Sequence, residues 1–200
     1  MQSDVANDQT GNGYTLTNAG ASSVSNSDGY ANFDGTSWLQ NDTLGTVGNT
    51  ITVAFWFKGS TLPTTVHSGL VSQAYSVPGT IAADFSTGLD DVGTSFSYNG
   101  TIVWGPIITD GNPHLVVVSY DYTGGNALTI QIDNGTVSSA GPGYNARFSD
   151  HLFIGAFDGI NGDGLLVGQI NRVGIWSRIL SSTEITALYN SGSGKSYSGL

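Results

Sequence analysis

The sequence predicts an all-β sandwich or jelly roll, and three observations predict it. Apolar residues recur in short runs at strand spacing. Turn residues break those runs about every 8 to 15 residues. Glycine fills 29 of the 200 positions, at turns and bulges and not as a flexible linker.

Val53-Ala54-Phe55-Trp56-Phe57 is a compact apolar run bounded by Gly48 and Gly59, and reads as a core strand. Leu115-Val116-Val117-Val118-Ser119-Tyr120 is a second, starting just after Pro113. Leu128 to Asp133 alternates apolar with polar, as a strand with one wet face does. Leu152 to Gly155, Leu165 to Ile170 and Val173 to Trp176 follow as three further runs. Asn99-Gly100 and Asn134-Gly135 sit between strand-like runs and signal hairpins, while Gly124-Gly125 and Asp110-Gly111 mark other reversals. One helix is predicted over Ser181 to Asn190. Ser181 with Glu184 forms a capping box, Ile185, Leu188 and Tyr189 make an apolar stripe, and Gly192 stops it. Such a helix covers a sheet end or the terminal seam.

Charge narrows the partners. Only 10% of residues are charged, against about 25% in an average chain. Fifteen acids face five bases, for a net charge of -10. Lys58, Lys195, Arg147, Arg172 and Arg178 cannot build a phosphate-binding face, so nucleic acid and an anionic membrane surface are excluded as partners. No apolar run approaches the roughly 20 residues of a membrane span, and Met1-Gln2-Ser3-Asp4 does not open a signal peptide. With no Cys there is no disulfide, no thiol nucleophile and no Cys-based zinc site, but the compartment stays open. No repeat or composition break divides residues 1–200.

Several segments carry motifs in a fixed order. Phe33-Asp34-Gly35-Thr36-Ser37-Trp38-Leu39 matches F-D-G-x-x-(aromatic)-(aliphatic), and Ile51 to Phe57 matches F-T-I-x-x-W. Pro113 to Asp121 matches W-H-x-(aliphatic)-A-x-(S/T)-Y-D, with Pro113 in place of Trp. Leu128 to Gly135 and Leu152 to Gly155 match L-x-(aliphatic)-Y-(aliphatic)-D-G and L-x-I-G. The tail from Gly168 through Ser181 to Asn190 matches G-x-I-D-x-V-x-I-(W/Y)-x-R-x-L-S-x-x-E-I-x-x-L-Y-N, with Asn171 replacing the acid.

Together these segments resemble the laminin G-like (LamG-like), concanavalin A-like jelly-roll family of lectins and glucanases. The resemblance implies a sandwich of two antiparallel sheets, about 12 to 14 strands, with one short C-terminal helix. It implies a non-catalytic recognition or adhesion module that binds glycan or protein on a surface, displayed extracellularly or on a virion. A virus or phage decoration or fibre domain with no independent ligand is the alternative, and a glycoside-active enzyme ranks third. In the family an aromatic strand precedes the segment resembling Asp8 to Gly13, whereas seven residues precede Asp8 here, so a single domain is expected, either excised from a longer chain or a natural short form. A homo-oligomer or a larger parent assembly is a further expected partner.

Candidate sites follow. Glucanases of this fold use E-x-D-x-x-E, with two carboxylates about 5 Å apart. This chain has a single Glu, Glu184, which caps the helix, so the chain is not expected to be an enzyme. Of the close Asp pairs, Asp90-Asp91 point to opposite faces if extended, and Asp158 with Asp163 flank a glycine-rich loop. His67, His114 and His151 accompany no G-x-S-x-G elbow, and His114 is expected to be structural. The resemblance implies a structural Ca²⁺ where the N-terminal segment meets the last strand, with Asp8, Asn12 and Asn171 as oxygen ligands; Asx-turns are the plainer reading. For carbohydrate, Tyr75, Tyr98, Trp104 and Tyr144 lie near predicted turns, with Asp158, Asn161 and Asp163 as hydrogen-bonding partners. Trp104 is the best stacking platform, and Trp38, Trp56 and Trp176 belong to core strands. The negative charge suits neutral sugars and opposes sulfated or sialylated ones.

Overall fold

The computed structural model describes residues 8, 12–27, 29–44, 50–61, 67–74, 83–98, 100–122, 125, 127–141, 151–157 and 164–194. Its strands in chain order are β1 (Thr17–Gly20), β2 (Ser25–Ser27), β3 (Tyr30–Asp34), β4 (Ser37–Asn41), β5 (Thr50–Lys58), β6 (Ser68–Ala74) and β7 (Ala83–Asp90). They continue as β8 (Gly93–Tyr98), β9 (Thr101–Gly105), β10 (Pro113–Asp121), β11 (Ala127–Ile132), β12 (Val137–Ala140), β13 (His151–Ile154) and β14 (Val167–Trp176). A helix, α1 (Ser182–Tyr189), and a 3-10 turn, Asn190–Gly192, complete them.

Two seven-stranded antiparallel sheets face each other, ordered β1-β4-β13-β6-β7-β8-β9 and β12-β11-β10-β5-β14-β3-β2. Among the described residues no helix is long and apolar enough to cross a membrane.

The centre of the second sheet explains the unbroken apolar runs. On β5, Val53, Phe55 and Phe57 enter the core between the sheets, while Ala54 and Trp56 face the other way. On β10, Val116, Val118 and Tyr120 point inward, and Leu115 and Val117 outward. The outward set is covered by Leu180, Ile185 and Leu188, so these strands are buried on both faces. Tyr189 stacks on Trp56 with ring centroids 6.1 Å apart. By contrast β11 alternates, burying Leu128, Ile130 and Ile132.

The capping box forms as the sequence predicts. Ser181 Oγ accepts the Glu184 amide, and Glu184 Oε2 accepts the Ser181 amide at 2.8 Å. Arg178 holds the same carboxylate at 3.0 and 2.6 Å, and that grip lowers the Glu184 pKa to about 2. The helix runs between its expected ends, with Ser181 as N-cap and Asn190 as C-cap, where Asn190 takes the left-handed conformation at φ 46° and its amide donates to Thr186 O. The F-D-G motif also has a local reason. Asp34 accepts from Ser22 Oγ at 2.6 Å and from the Thr36 hydroxyl and amide at 2.8 and 3.0 Å, which lowers its pKa to about 2.

Two expectations are corrected. The runs at 165–170 and 173–176 are one strand, β14, whose register against β5 shifts between Asn171 and Gly174. Arg172 lies in that irregularity with φ 51°, so the break in the apolar pattern marks a bulge and not a turn. At the β11–β12 reversal the left-handed pair is Asp133 and Asn134, with φ 53° and 59°, and Gly135 N donates to Ile132 O at 2.8 Å. The turn falls one residue earlier than Asn134-Gly135 because the Asp133 carboxylate is fixed by β10, accepting the Leu115 amide at 2.8 Å.

Candidate functional site

At one end of the second sheet, β5 leaves between the points where β10 and β14 begin. Lys58 is the register partner of Pro113 on one side and of Gln169 on the other. The segments 58–61 and 167–169, with Gly111, enclose a groove of about 290 Å³. The buried Phe57 ring lies beneath two of its glycines. A Cβ on Gly59 would stand 2.5 Å from that ring, and one on Gly168 2.9 Å, so two glycine backbones lie flat on it. Gly111 N donates to Gly59 O at 2.9 Å and ties the rim across.

The walls are polar with one apolar face. Val167 is 53% exposed, and Ser60, Thr61, Gln169 and Lys58 supply hydrogen-bonding groups. Gln169 donates its amide to Asn32, which fixes its orientation. Among the described residues no carboxylate pairs with Lys58, a rare cation in this acidic chain.

Beside the groove His114 is clamped from both sides. Its Nδ1 lies 2.5 Å from Asp133 Oδ2 and its Nε2 2.9 Å from Asp110 Oδ1. Burial alone would lower its pKa, but hydrogen bonds to Asp133 and Asp110 outweigh that and raise it. Asp110 is held well below the usual aspartate range, first by hydrogen bonds from Asn112 and then by His114. His114 thus has both ring nitrogens engaged by carboxylates. It locks the Asp110-Gly111 rim onto β10 and the β11–β12 turn.

The clamp predicts a pH dependence. A raised folded-state pKa gives stability that is full below the ordinary histidine value of about 6.5 and lost as pH rises through the raised one. The lowered Asp110 pKa adds stability above about 3.9 that is lost on acidification. Melting temperatures from pH 4 to 10 should therefore decline on the alkaline side for this chain, and His114→Asn should flatten that limb. Superimposable curves would mean that the clamp does not form.

At the other sheet the β7–β8 turn brings Asp90 and Asp91 into contact, where an extended chain would separate them. Asp90 Oδ1 accepts the Asp91 amide at 2.7 Å, and His67 Nδ1 lies 2.8 Å from Asp90 Oδ2. Their carboxyls hydrogen-bond each other, lowering the Asp90 pKa and raising that of Asp91. Carboxyls in direct contact lack the separation of about 5 Å that a retaining glycosidase needs.

The other candidates scatter. Tyr98 is 1% exposed and stacks on Tyr120 with centroids 3.8 Å apart, so it is core and has no face for a ligand. Strand alternation explains this, since Phe96 and Tyr98 share the inward face of β8. Trp104 stands on the outer face of β9, 39% exposed, away from the groove lining. Asp8 Oδ2 accepts the Tyr14 amide at 3.1 Å, Asn12 is exposed, and Asn171 sits at the β14 bulge beside Gly29. That set supplies one carboxylate and two neutral amides of the six to eight oxygens Ca²⁺ takes, the rest falling to backbone carbonyls and water. Tyr75, Tyr144, Asp158, Asn161 and Asp163 lie outside the described residues. The sequence reading missed the groove, whose only signal is glycine directly after Phe57-Lys58 and before Gln169.

No family model matches the chain, and no curated protein matches it. Solved structures do. Trypanosoma rangeli sialidase in complex with sialic acid is 16% identical with a TM-score of 0.65, over 89% of this chain and 30% of that one. The binding domain of botulinum neurotoxin serotype C1 is 13% identical with a TM-score of 0.65, over 92% of this chain and 48% of that one. The fold is a concanavalin A-like jelly roll. A heptameric SAP-like pentraxin from Limulus polyphemus also shares it, at 12% identity and a TM-score of 0.55, over 72% and 70% of the two chains. The jelly roll spans less than a third of the sialidase and about half of the toxin domain. At such identities the likeness is one of fold alone.

Proposed function

We propose that this chain is a non-catalytic recognition module of LamG-like type, displayed extracellularly or on a virion, which holds a neutral glycan in the groove at the end of β5. The groove carries the reading, being concave, lined by hydrogen-bonding groups and bordered by the apolar face of Val167. Its volume sits at the low end of the roughly 300–1,000 Å³ of small-molecule sites, the scale of a single sugar residue. The net charge of -10 favours uncharged sugars over anionic ones. A neighbour named as a receptor-binding domain is consistent with recognition.

A neutral-glycan array followed by calorimetry tests it. A hit should weaken at least tenfold in Lys58→Ala and in Gln169→Ala while the melting temperature holds. An empty array would leave the virus or phage decoration role, and product released from laminarin, carrageenan or agar would overturn the non-catalytic part.

A further inference from the structure

Large exposed apolar side chains are unevenly placed. Val92, Ile102, Trp104 and Ile107 are all exposed and all fall within residues 92–109, a stretch without any Asp, Glu, Lys, Arg or His. Folding gathers them. Ile102 and Trp104 share the outer face of β9, opposite Ser97 and Ser95 of β8. Thr94 N and Oγ1 both donate to Pro106 O, which draws the β7–β8 turn carrying Val92 against the segment carrying Ile107. Of the acids bordering the stretch, Asp90 is engaged by His67 and Asp110 by His114, while Asp91, exposed beside Val92, hydrogen-bonds Asp90.

This patch lies on an edge. Among the described residues β9 is the last strand of the first sheet, and β12, the last strand of the second on the same side, is also uncharged. Natural edge strands are commonly guarded by charge or proline, and β9 carries neither. At the opposite edges β1 and β2 are short and polar, with no large apolar side chain. The contrast singles out the β9 side.

We propose that the β9 face of this chain docks a second copy of itself, with Ile102 and Trp104 at the centre of the contact. Charge selects that occupant. Two molecules of net charge -10 repel over most of their surfaces, so they can approach closely only where both lack acids. A basic partner would find no carboxylate on β9 itself, only Asp91 at the rim of the patch, and would be drawn to the acids elsewhere. A two-fold axis brings the same neutral, apolar patch from each side, which is the self-complementarity that an isologous interface requires. The interface is independent of the groove reading.

Sedimentation velocity on the intact chain, from about 1 to 100 μM, is the test. The sedimenting mass should reach twice that of one chain, and added salt should strengthen the association by screening the repulsion. Ile102→Glu, which sets like charges face to face, should return the mass to one chain with an unchanged circular dichroism spectrum. The unmodified protein staying monomeric throughout would overturn the proposal without any variant. Trp104→Ala supplies the second arm. If it leaves the mass doubled but abolishes a glycan titration, the patch is a sugar platform and the self-docking proposal is wrong. If it halves the mass and leaves the titration intact, both readings stand. A blank titration with a doubled mass refutes the groove alone.

Discussion

Gly69→Ala is expected to destabilise the fold by about 3 kcal/mol or more, the largest effect of any single methyl group here. The cause is contact, not backbone conformation. A Cβ at position 69 would stand 2.1 Å from Phe157 N, 2.2 Å from Ala156 C and 2.3 Å from Ala156 O. All three are backbone atoms, so no side chain can turn aside. The segment is pinned there. Gly69 N donates to Gly164 O at 2.7 Å, and Ser72 Oγ lies 2.9 and 2.8 Å from Ala156 O and Phe157 O. Relieving the clash means lifting 156–157 off β6 and losing those bonds. For a chain of this length the melting temperature should fall by about 6 to 12 °C, on 2–4 °C per kcal/mol. Gly100→Ala is the control, since its Cβ would meet nothing within 4 Å and only its φ of 89° is strained. That variant should cost about 1 kcal/mol. Equal effects on denaturant unfolding would show that 156–157 does not lie on β6.

Burial on both faces made β5 and β10 legible, because nothing polar interrupts Val53 to Phe57 or Leu115 to Val118. The same burial hid β6 to β8. There the sealed positions include Ser72, Thr87 and Thr94, residues that suggest turns on composition. Each hydroxyl is satisfied: Thr87 Oγ1 accepts Val71 N and donates to Val71 O, both at 2.9 Å, and Thr94 Oγ1 donates to Pro106 O at 2.7 Å. A buried hydroxyl that always finds a carbonyl leaves no periodic apolar trace.

The candidate site was less legible than the fold, for a different reason. Proximity to a turn chose Tyr98 and Trp104 alike, although their strands send one inward and the other outward. Parity along β8 and β9 would have separated them. The groove could not be found that way, since Gly59, Gly111 and Gly168 come from three distant segments and contribute backbone only. The His114 clamp likewise depends on a turn that sets Asp133 against β10, a placement no local spacing encodes.

Phe57→Ala is expected to cost about 3–5 kcal/mol, because its ring is 0% exposed in the core between the sheets. The second consequence concerns binding. The same ring packs under Gly59 and Gly168, so the glycine backbones that line the groove are propped by the core. Truncation to alanine lets both backbones sink and carries Lys58 and Gln169 with them, since those residues are register partners across β5 and β14. Phe57→Leu separates the effects. Leucine keeps most of the buried area at a cost nearer 1–2 kcal/mol but offers no flat face to two glycines. It should melt well above the assay temperature and still bind glycan several-fold more weakly than the unmodified chain. Affinity preserved in Phe57→Leu would place the binding surface elsewhere on the jelly roll, because no groove resting on that ring can keep its shape without it.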